Sequence, residues 1–161
     1  MATQESPKSE KYLRQAEKVI LTAVLLDALL ILLGHEYKPL TYGLVAALAL
    51  VYFLHAFLPP KLRPTENKPV GFNELLAWTI LPKVMYIGIA IVALGVLLFY
   101  ANVQNKGYEK LLTVGCSSLF VSLFLLAILA INGVKQLKLL RVIVFKALAF
   151  LLGGITVLYL F

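Results

Sequence analysis

The stretch ILPKVMYIGIAIVALGVLLFYA, Ile80–Ala101, decides the fold: in it Lys83 is the only charged residue. About twenty apolar residues at 1.5 Å each cross the roughly 30 Å of bilayer hydrocarbon, so this segment is predicted to be a transmembrane helix. Four more apolar runs resemble it, at about 19–34, 39–58, 111–132 and 142–161. The breaks between them are Gly34–Pro39, a Pro-rich linker, Asn102–Lys110 and Asn132–Arg141. None of these segments alternates like a barrel strand, and a backbone in hydrocarbon must satisfy its own hydrogen bonds.

The expected fold is therefore all-α: a polytopic membrane helical bundle of about five transmembrane helices. Composition agrees, with 61% hydrophobic residues and a mean hydropathy of +0.89, against roughly 45–50% apolar residues in ordinary soluble domains. Residues 1–17 read as a polar cytoplasmic tail, 18–161 as the transmembrane domain, and 59–79 as an interfacial linker. The first span lacks an Ala-x-Ala cleavage signature and is expected to be retained.

Charge placement gives an orientation. With the N-terminus on one side, that side collects Lys8, Lys11, Arg14, Lys18, Lys61, Arg63, Lys68, Lys83, Lys135, Lys138, Arg141 and Lys146, while Lys38, Lys106 and Lys110 fall opposite. Basic residues in short loops stay in the cytoplasm, so the N-terminus is expected inside and the C-terminus outside. The net charge of +7 thus reads as membrane anchoring, not nucleic-acid binding. A surface position for 142–161 is disfavoured because 147–161 carries no charge, leaving Lys146 to snorkel toward headgroups.

Lys18, Lys83 and Lys146 each open an odd-numbered span, 65 and then 63 residues apart (83 − 18 and 146 − 83). Lys38-Pro39-Leu40-Thr41-Tyr42-Gly43 also aligns with Lys110-Leu111-Leu112-Thr113-Val114-Gly115. These matches predict two and a half parallel helical-hairpin repeats, set against the plainer account that apolar helices with basic ends look alike. A lead-in precedes each odd span: Ser9–Glu17, Gly71–Leu81 and Lys135–Arg141. In the second, Asn73 and Glu74 are expected to open a short interfacial helix with Trp78 at headgroup depth, which Pro82 breaks from the next span. Lys61, Arg63, Trp78, Lys135, Lys138 and Arg141 form the candidate cytoplasmic interface, for anionic lipid or a protein partner.

Asp27 lies near the centre of the first span, where an acid costs about 2.5–3.5 kcal/mol on insertion scales. Its neighbours one turn away, Ala23, Val24, Leu30 and Ile31, offer no charge partner. The candidate intramembrane site pairs Asp27 with Ser117, Ser118 and Ser122 of the fourth span. The competing account makes Ser118-x-x-x-Ser122, like Gly43-x-x-x-Ala47, a small-residue packing face. His35 and His55 fall at opposite surfaces, which separates them as ligands for one metal and makes each an interfacial polar residue. Cys116 is the only cysteine, so neither an internal disulfide nor a cysteine metal cluster is expected. No catalytic arrangement of residues is present, so no enzymatic activity is expected; the cofactor question stays open, since a partner can supply ligands.

The hairpin of spans three and four, with its short polar loop before Leu111-Leu112-Thr113-Val114-Gly115, resembles the two-helix membrane anchor of the gliding-motility and type 9 secretion motor protein family GldL. The similarity covers one hairpin. Where that family commonly carries His-Trp-Pro, this loop reads Val103-Gln104-Asn105-Lys106-Gly107-Tyr108, and no long cytoplasmic domain follows, so no residue roles carry over. The resemblance implies a bacterial inner membrane. The leading functional expectation is a non-enzymatic accessory or scaffolding subunit of a larger membrane complex. The alternative is a small proton- or cation-handling transporter or channel using Asp27, and a third is a lipid-binding membrane protein.

Overall fold

The computed structural model describes residues 8–58, 71–101, 107–132 and 140–160, and every element in them is helical. In chain order these are α1 (Lys8–Leu32), α2 (Lys38–Phe57), α3 (Phe72–Leu75), a π-helical turn (Leu76–Ile80), α4 (Leu81–Tyr100), α5 (Gly107–Ile131) and α6 (Arg141–Leu160). Four stretches are long and apolar enough to cross a membrane: α2, the run from α3 through α4, α5 and α6. The fifth long helix, α1, has 25 residues but carries Glu17 and Lys18 at the start of its apolar run and Asp27 within it.

Helix α1 starts well before residue 18, so the polar lead-in from Lys8 is its first turns and not a separate tail. It ends where Gly34 adopts φ 83°. The His35 amide reaches the Leu30 carbonyl at 2.8 Å and the Gly34 amide reaches Ile31 at 3.0 Å. This pairing closes the last turn and requires a left-handed residue, which glycine supplies without steric cost. Pro39 then sits in the first turn of α2, where no intrahelical N–H is needed.

The expected break at Pro82 is replaced by a continuous helix from Phe72 to Tyr100. The Leu81 amide bonds to Leu76 O, five residues back. Widening the turn by one residue just before the proline absorbs the lost donor and the ring's bulk without a kinked break. Trp78 sits in this wide turn and is 2% exposed. It belongs to the interior cluster with Leu81, Met85 and Tyr52, so its ring faces other helices of the bundle.

Helix α4 is the centre of the bundle, packing on α2, α5 and α6, while α1 packs on α2. The α4–α5 contact alternates small and large residues. A Cβ at Gly88 would lie 2.8 Å from Leu119 Cδ2, one at Gly115 would lie 2.7 Å from Val92 Cγ2, and one at Gly95 would lie 2.7 Å from Leu112 Cγ. Each bulky side chain thus fills the space left by a glycine opposite, which lets the two backbones approach closely. Gly154 makes the same contribution from α6, against Cys116. Gly43, by contrast, has nothing within 4 Å of its Cβ position. The packing face expected for Gly43-x-x-x-Ala47 is therefore unused at its first residue.

Candidate functional site

The side of α1 turned toward the bundle is Leu13, Glu17, Ile20, Val24, Asp27 and Ile31, spaced alternately four and three apart. That spacing keeps one stripe facing a neighbour, so its members share an environment. Two members are acids, and both are 6% exposed. Of the five buried polar or charged residues among the described ones (Glu17, Asp27, Thr41, His55 and Ser122), four belong to α1 and α2. The α1–α2 contact is a polar seam beside an apolar core.

At one end of the seam Glu17 is shared by two bases. Its Oε1 accepts a hydrogen bond from Lys146 Nζ of α6, and its Oε2 lies 3.5 Å from His55 Nε2 of α2. The other ring nitrogen, Nδ1, is 2.9 Å from the Val51 carbonyl. Aromatic rings enclose the group: Tyr86 stacks on His55 at 5.2 Å, and Lys146 lies 5.7 Å from the Tyr52 ring centre. The Tyr52 hydroxyl is near enough to Glu17 to interact with it. Among the described residues it is the one fully enclosed polar side-chain atom without a hydrogen bond.

Two residues gain partners here. Lys146 pairs with Glu17, which compensates its charge within the bundle. His55 is 8% exposed and faces the same carboxylate, so it is packed inside the bundle. His35, at the end of α1, is exposed.

Asp27 lies ten residues after Glu17, about 15 Å further along the helix. It is buried and has no hydrogen-bond or ion-pair partner among the described residues. The serines expected beside it belong to α5, which packs on α4 and α6. Ser118 donates to Gly115 O of its own helix at 2.9 Å and lies against Gly88. Ser122 is 2% exposed, and Ser117 is exposed on the outer side. No hydrogen bond among the described residues joins Asp27 to these serines. Beyond Asp27, Thr41 is buried on α2, its hydroxyl directed at Tyr37 O of its own helix, 3.5 Å away.

Of the candidate interface, Lys61, Arg63, Lys135 and Lys138 lie outside the described residues, and Arg141 is exposed at the start of α6. Sequence inspection missed Glu17, Tyr52, Tyr86 and the pairing role of His55 and Lys146. A signal for Glu17 was present: ten residues from Asp27 is three turns less about 80°, near enough to share a stripe. Comparison only with residues one turn from Asp27 hides that relation. His55 and Lys146 come from different helices, and no sequence spacing encodes their meeting. No family model, curated protein or solved structure matches the chain.

Proposed function

We propose that the chain is an integral membrane protein that handles protons or a small cation along the α1–α2 seam, with Asp27 as its mid-membrane group. The carrying observation is the concentration of buried polar residues on these two helices, with one acid, Asp27, left without a partner among the described residues. Buried ionisable residues in a membrane are costly, and chains of Asp, Glu and His are what proton pathways require. The polar order along the seam is Glu17 with His55, then Asp27, then Thr41. On the orientation given by the charge tally, Glu17 is at the cytoplasmic end and Thr41 nearer the outside, in a bacterial inner membrane. The test is proton or cation flux in liposomes holding the purified chain. Flux that falls at least about tenfold in Asp27→Asn supports the reading. Flux no greater than in protein-free liposomes, or unchanged by the substitution, overturns it.

A second reading, a non-enzymatic accessory or scaffolding subunit, is favoured by α1 itself. That helix packs chiefly on α2 and exposes Leu25, Leu26, Leu29 and Leu30 outward, a face open to a helix of another subunit as well as to lipid. Native mass measurement after gentle detergent extraction separates the two: a lone monomer across conditions removes the subunit reading. The two and a half hairpin repeats belong with this proposal, since α1–α2 and α4–α5 share hairpin connectivity while their contacts differ.

A further inference from the structure

Each nitrogen of the His55 ring has a defined neighbour. Nδ1 is 2.9 Å from the Val51 carbonyl oxygen, and a carbonyl only accepts, so Nδ1 carries the hydrogen. In the neutral ring Nε2 is then a bare lone pair. It faces Glu17 Oε2 at 3.5 Å, beyond the roughly 2.7–3.2 Å of an N–H···O bond. Two lone pairs confront each other across this gap.

We propose that the gap between His55 Nε2 and Glu17 Oε2 is a proton-binding site. A hydronium ion delivers the proton and leaves as water; one N–H bond forms on Nε2, which then donates a charge-assisted hydrogen bond to Glu17. The imidazolium competes with the Lys146 ammonium for a single carboxylate. Before uptake the group carries one negative and one positive charge, and afterwards one further positive charge. Four helices bear on that charge. From α1 comes Glu17, from α2 Tyr52, from α4 Tyr86 and from α6 Lys146. Lys146 opposes uptake. Glu17 favours it, and so do the Tyr86 face stacked on the ring and the Tyr52 face near Lys146, because aromatic faces attract cations. The Tyr52 hydroxyl also lies close to Glu17 and can donate to its carboxylate. Uptake therefore moves Glu17 from a tie with α6 toward a tie with α2.

The site deepens the proton-handling reading, on which its part in transport rests, but its occupancy is read without any flux. The experiment is nitrogen-15 imidazole NMR of the full chain in lipid nanodiscs over a pH series, with exposed His35 as internal reference. His55 is expected as the Nδ1–H form at high pH, converting to imidazolium on acidification. In Glu17→Gln, which keeps the shape and removes the anion, the imidazolium Nε2 hydrogen is expected to lose the downfield shift of a charge-assisted bond, and in Lys146→Met to keep it. Where Glu17→Gln does not fold, the Lys146→Met signal decides alone. An Nε2–H form at high pH, an Nε2 hydrogen signal unmoved by Glu17→Gln, or its loss in Lys146→Met overturns the proposal. Failure of liposome flux with these shifts intact overturns the transport reading and leaves the site standing.

Discussion

The hairpins α1–α2 and α4–α5 have the same connectivity, yet α1 is less apolar than the other three helices and the two hairpins are held by different means. In α4–α5 glycine meets Leu or Val at three successive levels, and the contact is close. In α1–α2 the stripe facing inward carries Glu17 and Asp27, and α2 answers with His55 and Thr41. Association of apolar helices in lipid gains little from hydrophobicity, so it depends on close packing or on polar contacts. One hairpin uses the first means and the other the second. A contact made by shape is rigid; one made by titratable groups changes with protonation.

The largest expected effect falls on the close-packed hairpin. Gly115→Leu places a branched side chain where even a Cβ would be 3.0 Å from the Val92 backbone nitrogen. Reversible unfolding in mixed detergent micelles is expected to show a loss of about 3 kcal/mol. A loss well under that shows that α4 and α5 separate easily and blurs the contrast between the hairpins.

Next comes the ionic end of the seam. Lys146→Met leaves Glu17 without its ammonium partner and is expected to lose about 2 kcal/mol in the same assay, less than a fully enclosed pair because the Lys146 side chain is 23% exposed. Adding Glu17→Leu to it is expected to recover most of that loss, since removing both charges also removes the desolvation cost. Absence of recovery shows that Glu17 is held mainly by His55.

Smaller shifts are expected at Asp27 and Gly43. Replacing Asp27, buried without a partner among the described residues, by Leu is expected to stabilise the chain by about 1 kcal/mol. A destabilised variant shows that the carboxyl has a structural partner. Gly43→Ala, with open space at its Cβ position, is expected to gain about 0.5 kcal/mol through helix propensity alone. A loss there places a close helix contact on α2 and makes the two hairpins alike.

The helices were legible in the sequence because long apolar runs such as 80–101 and 111–132 are one-dimensional signals. Asp27 was legible for the same reason: an acid among Leu, Val and Ile is conspicuous wherever its helix packs. Pro82 misled because a proline marks a lost donor without telling whether the helix breaks there or widens into a π turn. The burial of Trp78 inside the wide turn depends on the helices packed around it, which no local spacing encodes. The Glu17–His55–Lys146 group joins residues from three helices whose meeting depends on the tertiary arrangement. Gly43 and Gly115 occupy aligned positions in the sequence, yet only Gly115 faces a neighbour, because the outcome is set by the side chain opposite.

The seam's proposed role is tested most directly by flux driven by a pH step in liposomes, comparing Asp27→Asn with Ser122→Ala, a buried polar substitution outside the seam. The parent chain and Ser122→Ala are expected to carry flux alike, and Asp27→Asn to fall at least about tenfold. Equal flux in all three, or none in the parent above protein-free liposomes, contradicts it.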